Sequence, residues 1–559
     1  MVPTADVPRS QFNRSHGHKT TFDAGMLIPV YSDEALPGDT FNLKMTAFAR
    51  LATPIHPIMD NIFMDSFFFS VPYRLIWDNF KRFMGEQADP GDATDFLVPL
   101  SVAADASVTG YATGSLHDYL GIPTKIAGDL QHSALFTRAY NLIYNEWFRD
   151  QNLQGSARVD KNDGPDNPGY YTLLPRGKRH DYFTSALPWP QKGASVSIPM
   201  SSSAPIVSNG LTPTFTGSGG YTNEPLYSST GTAFLRGFNN STTSHPLHFG
   251  NESGLLADFT GIVGTINQLR EAFQIQKLLE RDARGGTRYI ELVHSHFGVI
   301  SPDLRAIRPQ YLGGGTSSVN VAPVVQTSST DTVTPQGNLA GYGHVTMHGH
   351  GFVHSFTEHC IVLGLVSVRA DMTYQQGLNR QFSHLSKFDH YWPALAHLGE
   401  QAILNKEIYC KGTSYDQLVF GYQERYAEYR YKPSIVTGLF RSNASGTLDS
   451  WHLAQNWLDL PVLGGTFISE APPIDRVIAV PSQPHFLFDS YFDLKCARPM
   501  PVYSIPGLVD LIYLGLNLLL GSIDTIRNVN TENLDRASSI CTAPGMRQTS
   551  KHDNDQFPV

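Results

Sequence analysis

The chain has few charged residues and no long hydrophobic segment. Charged residues make up 16% of 559, and the formal charge of −9 includes no lysine- or arginine-rich tail. Contact with nucleic acid would therefore depend on local patches. The longest apolar run, residues 511–523, is shorter than the ~20 residues of a membrane span and contains Asn517. Residues 1–19 are polar and basic, so we expect neither a signal peptide nor a membrane partner.

Cysteines are also scarce. There are four of them, far apart and without a CxxC pair: Cys360, Cys410, Cys496 and Cys541. This spacing argues against a disulfide framework and against a structural zinc site. It indicates that the protein resides in a reducing compartment.

Motifs of common enzyme families are missing. The chain contains no GxxxxGK[ST] phosphate loop, no HExxH helix and no GxSxG elbow. No series of alternating strands and helices indicates a nucleotide-binding sheet. We therefore expect no enzyme, no catalytic residue and no cofactor.

The residues that are abundant favour a β-protein with long loops. The chain has 48 glycines and 36 prolines, which mark turns and loops. Between Phe41 and Leu51 the odd positions are apolar and the even ones mostly polar, which predicts a strand with one buried face. Residues 62–71 are apolar on both faces, which predicts a strand deep between two packed layers. With no crossover helix between them, the two strands indicate antiparallel architecture.

Other segments have recognisable periods. Residues 73–84 and 133–149 repeat apolar side chains at helical spacing, and Thr265 with Gln268 has the spacing of a capping box. Residues 344–371 predict two strands or one long hairpin, and residues 486–495 predict a last core strand.

One histidine-rich segment is a candidate metal site. His344, His348, His350 and His354 occupy even positions and are followed by His359 and Cys360. An unbroken strand would place the four even positions on one face, where imidazoles bind transition metals. Gly349 and Gly351 interrupt the segment, so a solvated or interface strand face is the favoured alternative.

Basic residues beside aromatic or unstructured segments are the candidates for nucleic-acid contact. Residues 1–25 predict an extended arm, which is either solvated or lies against a neighbour or a polyanion. Residues 422–433 interleave tyrosine and arginine, a pattern that suits stacked bases and phosphates but also protein interfaces; Glu424 and Glu428 favour an interface or buried network. The nucleic-acid candidates are Arg9, Arg14, Lys19, Arg425, Arg430 and Lys432.

Residues 193–254 are rich in serine, threonine, glycine and asparagine. A polar stretch of this length is rare inside a compact domain, so it is either disordered or a projecting functional insertion. Scattered aromatic residues favour a partly packed projection. These aromatic residues include Tyr221, Tyr227, Phe234 and Phe238.

Several motifs together resemble the major capsid proteins of the gokushoviruses, in the Microviridae. The motifs, in order, are RSQF at 9–12, HGHKTTFDAG at 16–25, the strand at 37–50, ARGGTRY at 283–289, VRAD at 368–371, YWPAL at 391–395, EYRYKPS at 428–434 and ARPMP at 497–501. They span roughly residues 9–510.

The resemblance implies a mainly β fold, an eight-stranded antiparallel jelly roll with long loop and helical insertions. It divides the chain into an arm (1–25), a jelly-roll domain (26–510), a surface insertion (193–254) that forms a three-fold protrusion, and an atypical extension (511–559). The family usually ends near residue 510, so the extension is a departure.

The resemblance also implies a function and partners. The chain would self-assemble through pentamers into a small, non-enveloped T=1 icosahedral shell around circular single-stranded DNA. Its further partners would be a small basic DNA-binding virion protein, a minor or pilot virion protein and a receptor on the host cell. Assembly would take place in the cytoplasm of the host bacterium. The 193–254 insertion would serve attachment to the host, and its aromatic residues Tyr221, Tyr227, Phe234 and Phe238 would be the host-attachment candidates.

Two alternatives from other classes remain at this stage. A carbohydrate-binding or carbohydrate-cleaving β-sandwich would also use exposed aromatic residues, and its cleaving form needs two carboxylates in one cleft. A metal-dependent enzyme built on the histidine-rich segment is the third.

Overall fold

The computed structural model describes residues 7–102, 110–126, 130–197, 265–300, 307–332 and 335–503, together with the backbone of short strands between 206 and 257. The chain divides into a unit of Gln11–Pro499 and a second unit made of Met1–Ser10 and Met500–Val559. The architecture below is that of the larger unit. No helix among the described residues is long and apolar enough to cross a membrane.

Strands dominate the chain order. The first five strands are β1 (Ser10–Asn13), β2 (His16–Phe22), β3 (Ile28–Ala35), β4 (Thr40–Leu51) and β5 (Ile62–Pro72). Short strands follow: β6 (Leu100–Val102), β7 (Gln131–Ser133), β8 (Ile206–Ser208), β9 (Thr214–Gly217), β10 (Tyr221–Pro225), β11 (Tyr227–Ser228), β12 (Leu235–Arg236), β13 (Leu247–Phe249) and β14 (Leu255–Ala257). The later strands are β15 (Gln310–Ser318), β16 (Asn320–Val325), β17 (Leu339–Ser355), β18 (Cys360–Ala370), β19 (Thr373–Tyr374), β20 (Glu400–Leu404), β21 (Val419–Glu424), β22 (Ser434–Ile435) and β23 (Phe486–Arg498).

Helices are fewer and lie mostly between β5 and β15. They are α1 (Phe80–Phe83), α2 (Leu116–Tyr119), α3 (Leu135–Ile143), α4 (Ile266–Arg284), α5 (Tyr289–Phe297), α6 (Asn405–Ile408) and α7 (Gly465–Ile468). The capping box is confirmed, since the Thr265 side chain accepts from the Gln268 amide and the Gln268 side chain accepts from the Thr265 amide.

Two antiparallel sheets form the centre. The larger has the order β1-β23-β4-β17-β16 with β2 also paired to β23, and the smaller has the order β15-β5-β18-β3. Strands β2, β3, β4 and β5 alternate between the two sheets, and so do β17, β18 and β23. This alternation is that of a jelly roll. The predicted mainly β, antiparallel jelly roll is confirmed. The two sheets hold six and four strands, so the predicted number of eight strands is not confirmed.

The first core lies between the two sheets. Strand β4 buries Phe41, Leu43, Met45 and the following odd positions and exposes the even ones, as the alternation predicts. Its inward side chains share one cluster with Met64 and Phe68 of the smaller sheet. Burial of one full face of each sheet is what closes the sandwich.

The second core covers the outer face of the smaller sheet. Phe69 and Val71 of β5 and Leu363 of β18 pack there against α3 residues including Tyr140 and Ile143. Strand β5 thus lies between the larger sheet and a helical layer. This position explains why both of its faces are apolar. Both the buried strand and the helix in 133–149 are confirmed.

The single helix predicted at 73–84 is wrong. The chain forms a 3-10 turn at Tyr73–Leu75 and one α turn at Phe80–Phe83. Trp77 Nε1 and Asn79 Nδ2 both donate to the Asp163 carboxylate, at 2.6 and 3.1 Å. These bonds to another segment fix the chain between the two turns and replace a continuous helical ladder.

Residues 10–22 of the predicted arm form strands. Strand β2 pairs with β23 from His16↔Phe492 to Phe22↔Phe486. This part of the arm is therefore ordered, although most residues of β2 are exposed to solvent. The boundary at residue 25 stays a prediction. The extension at 511–559 lies outside the described residues.

Candidate assembly and nucleic-acid interfaces

A β-bulge separates the histidines of β17. The register against β4 shifts between Met347 and His350, and Gly349 there has φ +71°. Side chains alternate in direction along a strand, so one extra residue reverses the faces. His344 before the bulge and His348 within it are not buried, whereas His350 after it is buried. The strand is therefore not the unbroken one that would place all four histidines on one face, and the favoured alternative of a solvated or interface face stays a prediction.

His350 is held within the protein by two serines. One ring nitrogen, Nδ1, lies 2.8 Å from Ser66 Oγ and the other, Nε2, lies 3.2 Å from Ser317 Oγ. Burial lowers the pKa of His350. Among the described residues no group of three or more histidine, cysteine, aspartate or glutamate side chains is arranged to hold a metal ion.

The basic residues at the start of the chain are paired with carboxylates. The Arg14 guanidinium makes two bonds to the Asp33 carboxylate, and Lys19 pairs with Asp489 on the neighbouring strand. Arg9 precedes β1 and has contacts of its own. A phosphate at Arg14 or Lys19 would therefore compete with a carboxylate already present, and DNA contact by these residues stays a prediction.

The basic and aromatic segment 422–433 begins on β21 and leaves the sheet at Tyr426. Tyr426 is buried and has φ +61°, a left-handed conformation uncommon for tyrosine. Its amide donates to Gln401 Oε1 at 3.0 Å, and the Arg425 guanidinium lies 4.8 Å from the centre of its ring. This turn directs the following residues, Tyr429 to Lys432, to the surface.

The exposed end of that segment borders a cleft of about 450 Å³. Lys432 lines the cleft together with Arg380, whose guanidinium pairs with Glu407 at 3.0 Å. Arg430 pairs with Glu424, and Gln401 donates to Glu428 at 2.6 Å. The first part of the segment is thus buried or half-buried, and its end, Tyr429 to Lys432, is exposed. Carboxylates lie close to Arg430 and Lys432.

A loop at residues 382–398, here called the apolar loop, presents large side chains to solvent. Its exposed residues are Phe382, Leu385, Phe388, Tyr391, Trp392 and Leu398. The loop is ordered by polar bonds: Asp389 accepts from the amides of Leu385 and Ser386 at 3.0 and 2.7 Å, and Trp392 Nε1 donates to the Lys387 carbonyl at 2.7 Å. A concentration of exposed apolar side chains in an ordered loop is typical of an interaction site.

Helix α4 adds a second apolar surface. Of its residues only Ala272 and Ala283 are buried, whereas Ile266, Phe273 and Leu278 are exposed. The helix has 19 residues but buries only two alanines, so packing within one chain contributes little to its stability. The helix is therefore expected to pack against something further.

Sequence reasoning missed one cleft entirely. It has a volume of about 420 Å³ and lies beside the outer face of the smaller sheet, between the end of α3 and the loop around 176–184; we call it the aromatic cleft. Its lining includes Phe67, Phe69, Trp147, Phe148, Arg149, Arg176, Lys178 and Tyr311. Because these residues come from separate stretches of chain, no linear motif could have revealed it.

The host-attachment candidates lie in the polar insertion. Tyr221 begins β10 and Tyr227 begins β11, which pair with β9 and β12. Phe234 and Phe238 lie outside the described residues.

Comparison with known proteins places the chain among viral shell proteins. It matches the family described as capsid protein (F protein) over residues 1–508. It is 46% identical to capsid protein VP1 of Chlamydia phage 1 and 47% identical to capsid protein VP1 of Bdellovibrio phage phiMH2K, in both cases over 91% of this chain and 97% of the relative. Capsid protein VP1 of Spiroplasma virus 4 is 35% identical, over 90% of this chain and 96% of the relative.

An antiparallel jelly roll with ordered apolar surfaces, matched along most of its length by capsid proteins, is a structural component of a virus particle. The chain belongs to the capsid protein (F protein) family, and its resemblance to gokushovirus major capsid proteins is confirmed. It is a virion protein and not an enzyme, so the two enzymatic alternatives, the carbohydrate-cleaving and the metal-dependent one, are wrong.

Proposed function

We propose that this capsid protein self-assembles through pentamers into a T=1 icosahedral shell that encloses circular single-stranded DNA. The observation that carries the proposal is the apolar loop at 382–398. Its backbone and polar groups are held in place, yet Leu385 is 94% exposed and five other large apolar side chains are exposed with it. A second copy of the chain would remove this surface from water, at ~25 cal/mol for each Å² of apolar surface.

Permanent interfaces in such assemblies exceed about 2,000 Å² and are more apolar than transient ones. The apolar loop and the exposed face of α4 supply surface of that character. The acidic chain supports a division of labour in which a small basic virion protein neutralises most of the packaged DNA, and a minor or pilot protein completes the particle.

The remaining parts of the proposal concern DNA and the host. Arg9, Arg14, Lys19, Arg425, Arg430 and Lys432 are the proposed basic contacts with DNA, and assembly is proposed to occur in the bacterial cytoplasm. The insertion at 193–254, as a three-fold protrusion, is proposed to engage a receptor on the host cell. The aromatic residues proposed for it are Tyr221, Tyr227, Phe234 and Phe238.

A charge at Leu385 tests the assembly interface. We expect Leu385→Glu to leave the subunit folded, because the side chain touches solvent, and to prevent shells, because a buried unpaired carboxylate would be costly at a subunit contact. Sedimentation and negative-stain microscopy measure assembly, and circular dichroism measures folding.

The matched control is Leu458→Glu, at a leucine outside the apolar loop that is 90% exposed. We expect this control to assemble as the parent does. Normal shells from Leu385→Glu would show that the apolar loop is not a subunit interface, and a wild-type chain that never assembles, even with single-stranded DNA and the basic partner, would contradict the proposed function itself.

A further inference from the structure

The aromatic cleft contains a compact group of rings. The Phe69 ring centre lies 5.5 Å from those of both Trp147 and Tyr311, and the Trp147 and Tyr311 centres lie 6.1 Å apart. Phe69 is buried at the base, whereas Trp147 and Tyr311 are partly exposed at the opening. The cleft therefore offers ring faces and edges to a flat ligand.

Cations without ion-pair partners surround these rings. Of the lysines and arginines that line the cleft, Arg149 and Lys178 form no ion pair within the described residues, whereas Arg176 pairs with Asp65. The Arg308 guanidinium lies 4.6 Å from the centre of the Trp147 ring, and the Lys178 ammonium lies 4.9 Å from that of Phe467. A single carboxylate, Asp150, lines the cleft.

One of these cations has an unused donor. Arg149 Nε is buried and has no hydrogen-bond partner, while Arg149 Nη1 donates to the Gln154 carbonyl at 3.2 Å. Leaving a buried cationic donor without an acceptor is costly. An anionic ligand beside Arg149 would balance the charge of its guanidinium, which forms no ion pair within the described residues.

We propose that the aromatic cleft binds a nucleotide of single-stranded DNA, with the base stacked at Tyr311 and Trp147 and the phosphate near Arg149 and Lys178. Aromatic platforms beside cations are the general means by which proteins hold single strands without sequence preference. The inference rests on the proposed enclosure of single-stranded DNA, and it assigns that DNA a site other than the six basic residues predicted from the sequence.

The aromatic cleft suits an anion better than the cleft beside Lys432 does. In the latter, Glu407 and Glu428 line the wall together with the cations. Those two carboxylates would repel a phosphate, whereas one carboxylate, Asp150, lines the aromatic cleft.

Binding of a labelled single-stranded oligodeoxynucleotide to the full-length purified protein tests the proposal by fluorescence anisotropy at fixed salt. We expect Tyr311→Leu to weaken binding about tenfold through lost stacking and Lys178→Gln, which removes a proposed phosphate contact, to weaken it with a smaller salt dependence. Circular dichroism and thermal unfolding establish that each variant is folded.

The matched control is Tyr170→Leu. Tyr170 is 42% exposed, as is Tyr311. The Arg158 guanidinium lies 4.0 Å from the centre of the Tyr170 ring, and Tyr170 lies outside the cleft. Unchanged binding by both cleft variants, or an equal loss in the control, would overturn the proposal.

An experiment on assembled particles tests this inference separately from the proposed function. Ultraviolet cross-linking of DNA in wild-type particles should attach nucleotides to peptides that contain Trp147 or Tyr311, and Tyr311→Leu particles should lose that product while still assembling. Particles that contain DNA but yield no such product would overturn the site alone. A product that joins the cleft to another copy of the chain would show a protein occupant and would also overturn it.

Discussion

Burial lowers the pKa of two neighbouring histidines, His117 and His132. His117 is buried and stacked on Tyr111 with ring centres 4.0 Å apart, and His132 lies 5.6 Å from it. Burial, with a smaller contribution from His132, lowers the pKa of His117 from 6.5 to about 4. Burial also lowers the pKa of His132. The unfolded chain therefore binds protons more readily than the folded chain at these sites.

The first prediction concerns acid stability. Stability from His117 is fully present above about pH 6.5 and should fall as the pH decreases from 6.5 to 4, by up to about 3 kcal/mol. The variant His117→Phe keeps the stacked ring and removes the titrating group, so its free energy of unfolding should depend less on pH in this range. Urea unfolding at several pH values measures the difference, and identical pH profiles for the two proteins would refute it.

The second prediction concerns the bulge in β17. Gly349 has φ +71° and open space around an added Cβ, so Gly349→Ala should cost about 1–2 kcal/mol from backbone strain alone. A Cβ at Gly351 would overlap the Leu43 carbonyl group on the neighbouring strand. Gly351→Ala should therefore cost more, about 3 kcal/mol or above. Thermal unfolding of both variants gives the comparison, and equal losses would contradict it.

At the scale of elements, the two sheets are stabilised differently from the helices attached to them. Strands β4, β5 and β18 bury whole faces in two clusters. Helix α4 buries only two alanines and depends on its own ends and ion pairs, including Arg284 with Glu400. We therefore expect α4 to open at lower free energy than the sheets.

The third prediction follows from that difference. Thr265→Ala removes the capping box of α4 and should destabilise its first turn by about 1 kcal/mol, with little effect on the sheets. Hydrogen exchange should show faster exchange in α4 and unchanged protection in β4. Gln274→Ala, at an exposed position of the same helix, is the control and should not increase exchange; a loss of protection in both variants would point to general loosening.

At the scale of the whole molecule, the strands of the polar insertion are separate from the two central sheets. The short strands between 206 and 257 pair only with one another, and none of them joins either central sheet. The central sheets would therefore form without them.

The fourth prediction tests this separation. Shortening residues 200–245 should permit shell assembly and impair adsorption of particles to host cells. Sedimentation of the particles and counting of bound particles measure the two effects. A shortened chain that fails to fold would show that the insertion belongs to the core, and unimpaired adsorption would remove its proposed role in attachment.

Much of the fold follows from local patterns. The alternation in Phe41–Leu51, the two apolar faces of β5 and the capping box at Thr265 are confirmed, since each depends on residues that are neighbours in one element. The resemblance to one capsid family is likewise a property of short motifs in order.

The sites were less predictable because they depend on residues far apart in the chain. One extra residue in β17 reverses the face of His350, and Asp163 interrupts the helix predicted after β5. Arg14 and Lys19 lie in a basic stretch of the sequence, but the fold places Asp33 beside Arg14 and Asp489 beside Lys19.

The sequence by itself determined the class of fold and the family, because strand periodicity, capping and motif order are local properties of the chain. Only the tertiary structure decided which cations are paired and which surfaces stay apolar and exposed, and it alone assembled Phe69, Trp147 and Tyr311 into one cleft. Hydrogen bonds and ring contacts act over a few ångströms in space, whatever the distance along the chain.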